Sequence, residues 1–334
     1  LLVWTTTPWT LTSNVAAAVG EELTYVRVRQ GRDVFWLGKG TLRQALEGPF
    51  EVLEERPGRE LVGWRYAGPF DEMPAVRRAF AAWRGADGET PYAHRVVAWD
   101  EVGEDEGTGI VHVAPGCGAE DFQLGKRLGL PVVAPLDESG IFVEGFDGLS
   151  GRDVRDVDEP IMERLRHHGR FYRLETISHR YPHCWRCRTP LVFRLVDEWY
   201  ISMGEVYDQP RETLTAEQVE RSLRYQIMEV VDQIRWIPGF GYERELDWLL
   251  NMHDWMISKK RYWGLALPIY DCGSCGTISV VGGREELGRR AVEGWPAFQG
   301  HTPHRPHVDA VRIACDGCGA PVERIKDVGN PWLD

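Results

Sequence analysis

The feature that most constrains this chain is a spacing of cysteines: Cys272-Gly-Ser-Cys275-Gly276, a gap of 39 residues after Cys275, then Cys315-Asp-Gly-Cys318-Gly319. In each pair the two-residue gap lets both sulfurs face one ion, and the glycine that follows can take a positive φ without a Cβ clash. Four thiolates close a tetrahedral site and leave no position for water, so the expected role is structural, with Zn2+ holding a small ribbon together. Free or oxidised thiols are the competing reading. The other cysteines of the 334 residues are Cys117 and a third pair, Cys184-Trp-Arg-Cys187. That usage suits metal knuckles in a reducing cytoplasm better than a disulfide framework. The third pair has no fourth pair to complete it. His179 and His183 are local candidates, and a pair in sequence preceding this chain is the preferred one. Cys117 reads as a small buried hydrophobe.

At about 150 residues per domain, the length allows two domains. With 43% hydrophobic and 27% charged residues, both disorder and a membrane bundle are excluded. The uncharged stretch Leu1 to Gly20 is long enough to span a bilayer, but its five Thr, Pro8, Ser13 and Asn14 do not suit a spanning helix, so no membrane association is expected. No basic segment precedes it and residue 1 is Leu, which points to a piece of a longer polypeptide rather than a secretory signal. The net charge of −12 argues against binding nucleic acid mainly by counterion release.

Alternation about the turn Gln30-Gly-Arg-Asp33 predicts a β-hairpin over Thr24 to Leu37, with Val26 and Val28 on one face. Further strands are expected at Phe50 to Leu53, Tyr92 to Trp99, Gly109 to Ala114 and Ile141 to Val143. One helical patch, Ala75 to Trp83, precedes a turn-rich linker at Gly85-Ala-Asp-Gly88, and a helix over Asp153 to His168 has Gly169 placed to cap it. The first half therefore reads as β-rich, with a boundary near residues 172 to 180. Beyond it, helical patterning from Ala216 to Trp263 leads into the second cysteine-rich region, with loops at Trp236 to Tyr242 and Gly294 to Pro306.

Two segments carry candidate chemistry. Gly107-Thr-Gly-Ile-Val-His112-Val-Ala-Pro-Gly-Cys-Gly-Ala-Glu-Asp121 reads as strand, glycine-rich turn and helix start. On that strand His112 shares a face with Ile110 and Ala114, and Glu120 and Asp121 fall in the first helical turn. A core histidine and a helix-stabilising acid remain open readings of His112 and Asp121. Trp4-Thr5-Thr6-Thr7-Pro8-Trp9-Thr10-Leu-Thr-Ser-Asn14 is a cluster of hydroxyls that suits a ribose, a phosphate or an ester carbonyl, although threonine-rich strands are also ordinary sheet surface.

Taken together with His183-Cys-Trp-Arg-Cys187 before Thr189-Pro-Leu191, and Ser258-Lys-Lys-Arg-Tyr-Trp-Gly264 before Leu267-Pro-Ile269, these ordered segments resemble class I aminoacyl-tRNA synthetases of the isoleucyl branch over nearly the whole chain. The valyl and leucyl branches carry Thr-Arg-Pro-Glu/Asp-Thr where this chain has Thr7-Pro8-Trp9-Thr10; Thr12 replaces the family's usual Pro. The resemblance implies an α/β chain: a β-barrel-like editing domain inserted in a split Rossmann catalytic domain that is only partly present, with zinc-ribbon elements. It implies an editing domain at 1–175, a zinc-knuckle connection at 176–200, and a partial catalytic domain at 201–334 with a four-cysteine ribbon at 270–320.

By the same resemblance, Asp121 pairs with the α-ammonium of a misattached valine. Thr6 and Thr7, with Thr5 and Asn14, hold the substrate end and the terminal adenosine, Trp9 walls the pocket, and His112 crowds out isoleucine. Trp263 and Gly264, beside Tyr262, lie near the amino acid and adenylate of the synthetic site, with aromatic core as the alternative. The implied partners are tRNA(Ile), valine or isoleucine as the aminoacyl ester, and the remainder of the parent synthetase. Neither a His-x-Gly-His motif nor a Lys-Met-Ser-Lys-Ser loop occurs here, so ATP and Mg2+ are expected of the parent and not of this chain alone. The competing class is a noncatalytic zinc-ribbon module that docks RNA or protein.

Overall fold

Four consecutive apolar residues, Ala16–Val19, form strand β1, and all four are buried. A strand buried on both faces belongs in the middle of a sheet. In the computed structural model, which describes residues 1–85, 91–105, 107–178 and 180–332, β1 is indeed central. It pairs parallel with β5 and antiparallel with β6, defined below. The chain divides into two units, Leu1–Val196 and Asp197–Asp334. The division lies beyond the expected boundary near 172–180, and Val192 packs against the core of the first unit.

In the first unit the predicted hairpin is present as β2 (Thr24–Gln30) and β3 (Asp33–Gly38), extended by β4 (Glu51–Pro57) on the other edge of β2. Val26 and Val28 are buried as expected, but so is Tyr25 on the opposite face. Its hydroxyl donates to the Gly109 carbonyl at 2.7 Å and accepts from the Gly20 amide at 2.9 Å. After the short helix α1 (Leu42–Ala45) and α2 (Pro74–Ala82) come β5 (Arg95–Ala98), β6 (Val111–Val113), α3 (Ala119–Leu128) and α4 (Asp158–His167). Gly169 follows α4 at φ 63°, a left-handed stop. Residues 86 to 88 of the expected linker lie outside the described residues.

Two expectations need correction. The strands of the first unit form two separate three-stranded sheets, β5-β1-β6 and β3-β2-β4, and no ladder among the described residues joins them into a closed barrel. Ile141 to Val143 is not a strand: Phe142 and Ile141 make only isolated bridges, to Leu136 and Asp153. Phe142 is instead held in the core by an edge contact with Phe146, ring centroids 5.5 Å apart.

The second unit begins with β7 (Tyr200–Ile201) and the helices α5 (Ala216–Glu220), α6 (Leu223–Val231) and α7 (Phe240–Asn251). Thr215 opens α5 with a capping box to Gln218. The helical region ends at Asn251 and not at Trp263, because β8 (Trp255–Met256) pairs with β7 and the Asp254 carboxylate accepts the Met203 amide at 2.9 Å. Strand β9 (Ser258–Lys259) precedes two small antiparallel pieces. One is β10 (Ile269–Asp271) with β11 (Ile278–Val280). The other, after α8 (Arg284–Arg290), is β12 (Ala291–Glu293) with β13 (Arg312–Ala314) and β14 (Pro321–Glu323). Helix α9 (Trp295–Phe298) interrupts the expected loop, and β15 (Val328–Gly329) returns to β9. Every strand pair described in this unit is antiparallel, so no parallel Rossmann sheet is present among its described residues. Among the described residues no helix is long and apolar enough to cross a membrane.

Candidate functional site

The threonine-rich segment is not a strand. Pro8 starts a tight 3-10 turn over Pro8–Ser13, where its missing amide costs nothing. Thr5 Oγ1 accepts the Thr7 amide at 3.1 Å, and Thr6 and Thr7 place their hydroxyls 3.3 Å apart. Thr12, at the position of the family's usual Pro, is buried and donates to the Trp9 carbonyl at 2.8 Å, so the change adds a bond that closes the turn. Trp9 itself is in the hydrophobic core. Asn14 is buried as well. Its amide donates to the Ala16 carbonyl at 2.9 Å and its oxygen accepts from Tyr66 at 2.7 Å, so both ends are engaged within the fold.

Strand β6 brings His112 to this turn. Thr10, which the sequence did not single out as a site residue, makes the connection. Its hydroxyl donates to the Thr7 carbonyl at 2.7 Å and lies 2.9 Å from His112 Nε2. A hydroxyl has one proton, so with that proton on the Thr7 carbonyl, Thr10 accepts from Nε2–H. The lone pair then sits on Nδ1, which is buried with no hydrogen-bond partner among the described residues. Burial holds the imidazole below its ordinary value of 6.5, against an opposing pull from the Asp121 charge. The folded state thus binds fewer protons than the unfolded chain just below pH 6.5; the resulting stability is present above that pH and lost as pH falls through the window. An NMR titration of His112 is expected to show a midpoint below 6.5; a midpoint at or above it would contradict this environment.

Asp121 reaches the same end of β6 from the first turn of α3. Its Oδ1 accepts the Ala114 amide at 2.7 Å, folding the helix start back on the strand. Gly118 makes the approach possible, because a Cβ there would lie 2.5 Å from Asp121 Oδ2. The Thr7 carbonyl is therefore one hydroxyl away from His112, and Asp121 is bonded two residues along from it, at Ala114, where its charge acts on the ring. An open groove of about 520 Å³ lined by Gln30, Gly31, Glu47, Pro49, Tyr172 and Arg173 contains none of these residues, and its Arg173 is paired with Glu47 and Glu175.

In the second unit Cys272, Cys275, Cys315 and Cys318 bring their sulfurs within 4.8 Å of one another, with Cys272 and Cys318 at 3.7 Å and Cys275 and Cys315 at 3.5 Å. Sulfurs about 2.3 Å from a tetrahedral ion stand roughly 3.8 Å apart, so the cluster can hold a metal. The two turns are built alike: the Gly276 amide donates to the Cys272 carbonyl at 2.8 Å and Gly319 to Cys315 at 2.9 Å, with both glycines at positive φ, 72° and 73°. Cys184 and Cys187 repeat the turn. The Arg188 amide donates to the Cys184 carbonyl at 2.8 Å, at φ 60°. No third ligand joins them among the described residues: His183 turns its Nδ1 to the Tyr181 carbonyl, 2.8 Å away, and His179 lies outside the described residues. Trp263 is exposed and stacks on His304, centroids 4.6 Å apart, so it is not aromatic core; a Cβ on Gly264 would crowd Val328 at 2.9 Å.

A family model described as tRNA synthetases class I (I, L, M and V) matches residues 5–308. The chain belongs to the class I tRNA synthetase family. Among the relatives of this class I chain, isoleucine--tRNA ligase from Methanothermobacter thermautotrophicus is 38% identical over 335 residues, covering 100% of the chain and 29% of the relative. The Methanopyrus kandleri and Sulfolobus acidocaldarius enzymes of the same name are 37% and 33% identical, with the same coverage. The chain thus spans about 29% of the length of these curated relatives. Two solved structures, GlLeuRS-CP1 and the P. knowlesi cytosolic leucyl-tRNA synthetase editing domain, align with TM-scores of 0.37 and 0.33 at 14% and 11% identity. They cover 52% and 50% of this chain and 83% and 80% of their own; neither score bears on the fold.

Proposed function

We propose that this class I chain is the editing region and an adjoining part of the catalytic region of an isoleucine--tRNA ligase, and that its first unit hydrolyses valine wrongly esterified to tRNA(Ile). The single observation that carries the reading is that the Thr7 carbonyl is linked to His112 through Thr10 while Asp121 is bonded at Ala114, two residues along from His112. The need for such a site is physical: one methylene is worth only about 1–3 kcal/mol in an apolar pocket, a limit for which isoleucine against valine is the standard case. A second, smaller site then removes the wrong product.

In this reading Asp121 holds the α-ammonium of the ester by a charge-assisted contact, which fixes the acyl carbon for attack by water. Thr6 and Thr7 offer hydroxyls to the terminal adenosine and the ester. Neutral His112, held by Thr10, fills the space that a larger side chain would need. Asn14 and Trp9 act through the scaffold, while Trp263 and Gly264 belong to the synthetic region, where the parent enzyme would bring ATP and Mg2+. The four-cysteine cluster is a structural Zn2+ site, and Cys184 and Cys187 are half of a second one, completed by the parent. Editing at 1–175, a knuckle connection at 176–200 and a catalytic part at 201–334 are the domain roles that go with this reading.

The direct test is deacylation of valyl-tRNA(Ile) against isoleucyl-tRNA(Ile) by the purified chain. Fast release of valine with isoleucine retained supports the reading; no release of either, from folded protein, overturns it. His112→Ala opens the pocket, and hydrolysis of isoleucyl-tRNA(Ile) is expected to rise about 10- to 100-fold, the range one or two methylenes command. An unchanged rate on that substrate would remove His112 from the sieve.

A further inference from the structure

The junction between the threonine-rich turn and β1 is held by side chains that the proposed reaction leaves unused. The Asn14 backbone amide closes the turn on the Leu11 carbonyl at 3.2 Å, and the Val15 backbone amide donates to the Val113 carbonyl at 2.9 Å, one residue from His112. The Val15 carbonyl accepts from His94 Nδ1 at 3.0 Å and from the Tyr92 hydroxyl at 3.1 Å. His94 is only 3% exposed. Its Nε2 lies 2.6 Å from Asp71 Oδ1, while Asp71 Oδ2 takes the Gly68 amide at 2.8 Å. A carbonyl and a carboxylate only accept, so each ring nitrogen of His94 faces an acceptor.

The surroundings are shaped for this one ring. Tyr66 and Phe80 flank the imidazole, with centroids 4.9 and 5.0 Å away, and Tyr66 also donates to Asn14. A Cβ on Gly68 would come within 2.2 Å of His94 Nε2, so only glycine admits the pair; Arg170 donates to the Gly68 carbonyl and closes the loop from the far side. A buried histidine with an acceptor at each nitrogen is more than core filling requires, since a leucine or phenylalanine would fill the same space without polar partners.

We infer that His94, oriented by Asp71, is a positioning residue for ester cleavage: it fixes the Val15 peptide so that the turn bearing Thr7 and Thr10 stays in register with His112 and Asp121. The inference rests on the editing reading above. Its force comes from geometry, because the Val15 peptide is bonded to β6 through its amide and to His94 through its carbonyl. A tilt of that peptide moves the turn against His112, and a misplacement of about 1 Å at a reacting centre costs up to about 100-fold.

The test compares His94→Phe, which keeps the ring packing and loses both ring nitrogens, with His94→Asn, which restores a donor where Nδ1 stood. In valyl-tRNA(Ile) deacylation His94→Phe is expected to lower kcat about 10- to 100-fold with KM within about threefold, and His94→Asn to recover most of the loss. Hydrogen exchange over residues 10–16 should quicken in His94→Phe and slow again in His94→Asn. Unchanged kcat in folded His94→Phe, or equal losses in both variants with exchange unaltered, overturns the proposal. If the unaltered chain does not deacylate, the editing reading fails by itself, and the exchange comparison alone decides whether His94 holds the turn: unaltered exchange overturns it, and local quickening supports it. Should His94→Phe not fold, Asp71→Asn, which leaves an oxygen facing Nε2 and removes the orienting charge, takes its place. A lowered kcat with quickened exchange over residues 10–16 then supports the proposal, and unchanged values of both overturn it.

Discussion

Replacing Asp121 by alanine is expected to lower deacylation of valyl-tRNA(Ile) by about two to three orders of magnitude. Truncating one partner of a desolvated charge pair costs about 2–5 kcal/mol, and each 1.4 kcal/mol is about tenfold, so the α-ammonium would lose most of what holds it. Alanine also removes the acceptor for the Ala114 amide, which would loosen the turn between β6 and α3. Asp121→Asn separates these two roles. It keeps an oxygen for the Ala114 amide and discards the charge. If the ammonium contact is the main effect, asparagine is nearly as poor as alanine; if the turn is, asparagine restores the rate. Deacylation by Asp121→Ala close to the unaltered rate, measured under single-turnover conditions, would eliminate the anchor.

The second large effect is expected from the four-cysteine cluster. Cys272 and Cys315 are buried in the same small core as Tyr270, Val311, Ile313 and Val322, and the two cysteine turns close their respective hairpins, β10 with β11 and β13 with β14. Strands of three residues cannot hold such a ribbon by backbone pairing alone. Structural zinc supplies about 10–16 kcal/mol of apparent binding energy in small ribbons, and there binding energy is folding energy. Removal of Zn2+ by a chelator, or Cys315→Ser, is therefore expected to unfold residues 269–323 locally. Hydrogen exchange over these residues should rise by orders of magnitude, with the metal content falling from one ion per chain to none. A ribbon that stays protected without metal would show that its core, with the buried Arg324–Asp309 pair, suffices.

Much of the candidate site was legible in the residues because the elements that carry it are local. Asp121 falls in the first turn of a helix that the glycine-rich stretch announces, and His112 alternates with Ile110 and Ala114 as a strand residue must. The hairpin at Gly31 and the cysteine turns followed from residue types with few conformational options. Other elements were not legible. β1 is a run of small apolar residues with no alternation, because both its faces are covered, and periodicity is silent for such a strand. The hydroxyl cluster over Pro8–Ser13 left a threonine-rich strand open as an alternative to a turn, since side-chain bonds to backbone carbonyls leave no trace in a hydrophobic pattern. Phe142 obeys strand propensity in its local sequence and is taken by the aromatic core instead.

The sequence by itself determined the two cysteine turns of the four-cysteine cluster, the hairpin about Gly31 and the family to which the chain belongs. Only the tertiary structure decided that the described strands stop short of a barrel, that Asn14 is bonded within the fold and Trp9 lies in the core, and that Thr10 meets His112 and His94 meets Val15. The physical reason is range. A motif records contacts between residues near in the chain, whereas the Thr10 hydroxyl, donating to Thr7 and accepting from a histidine 102 positions away, and the Val15 carbonyl, met by a histidine 79 positions away, find these partners only once β1 and β6 have paired.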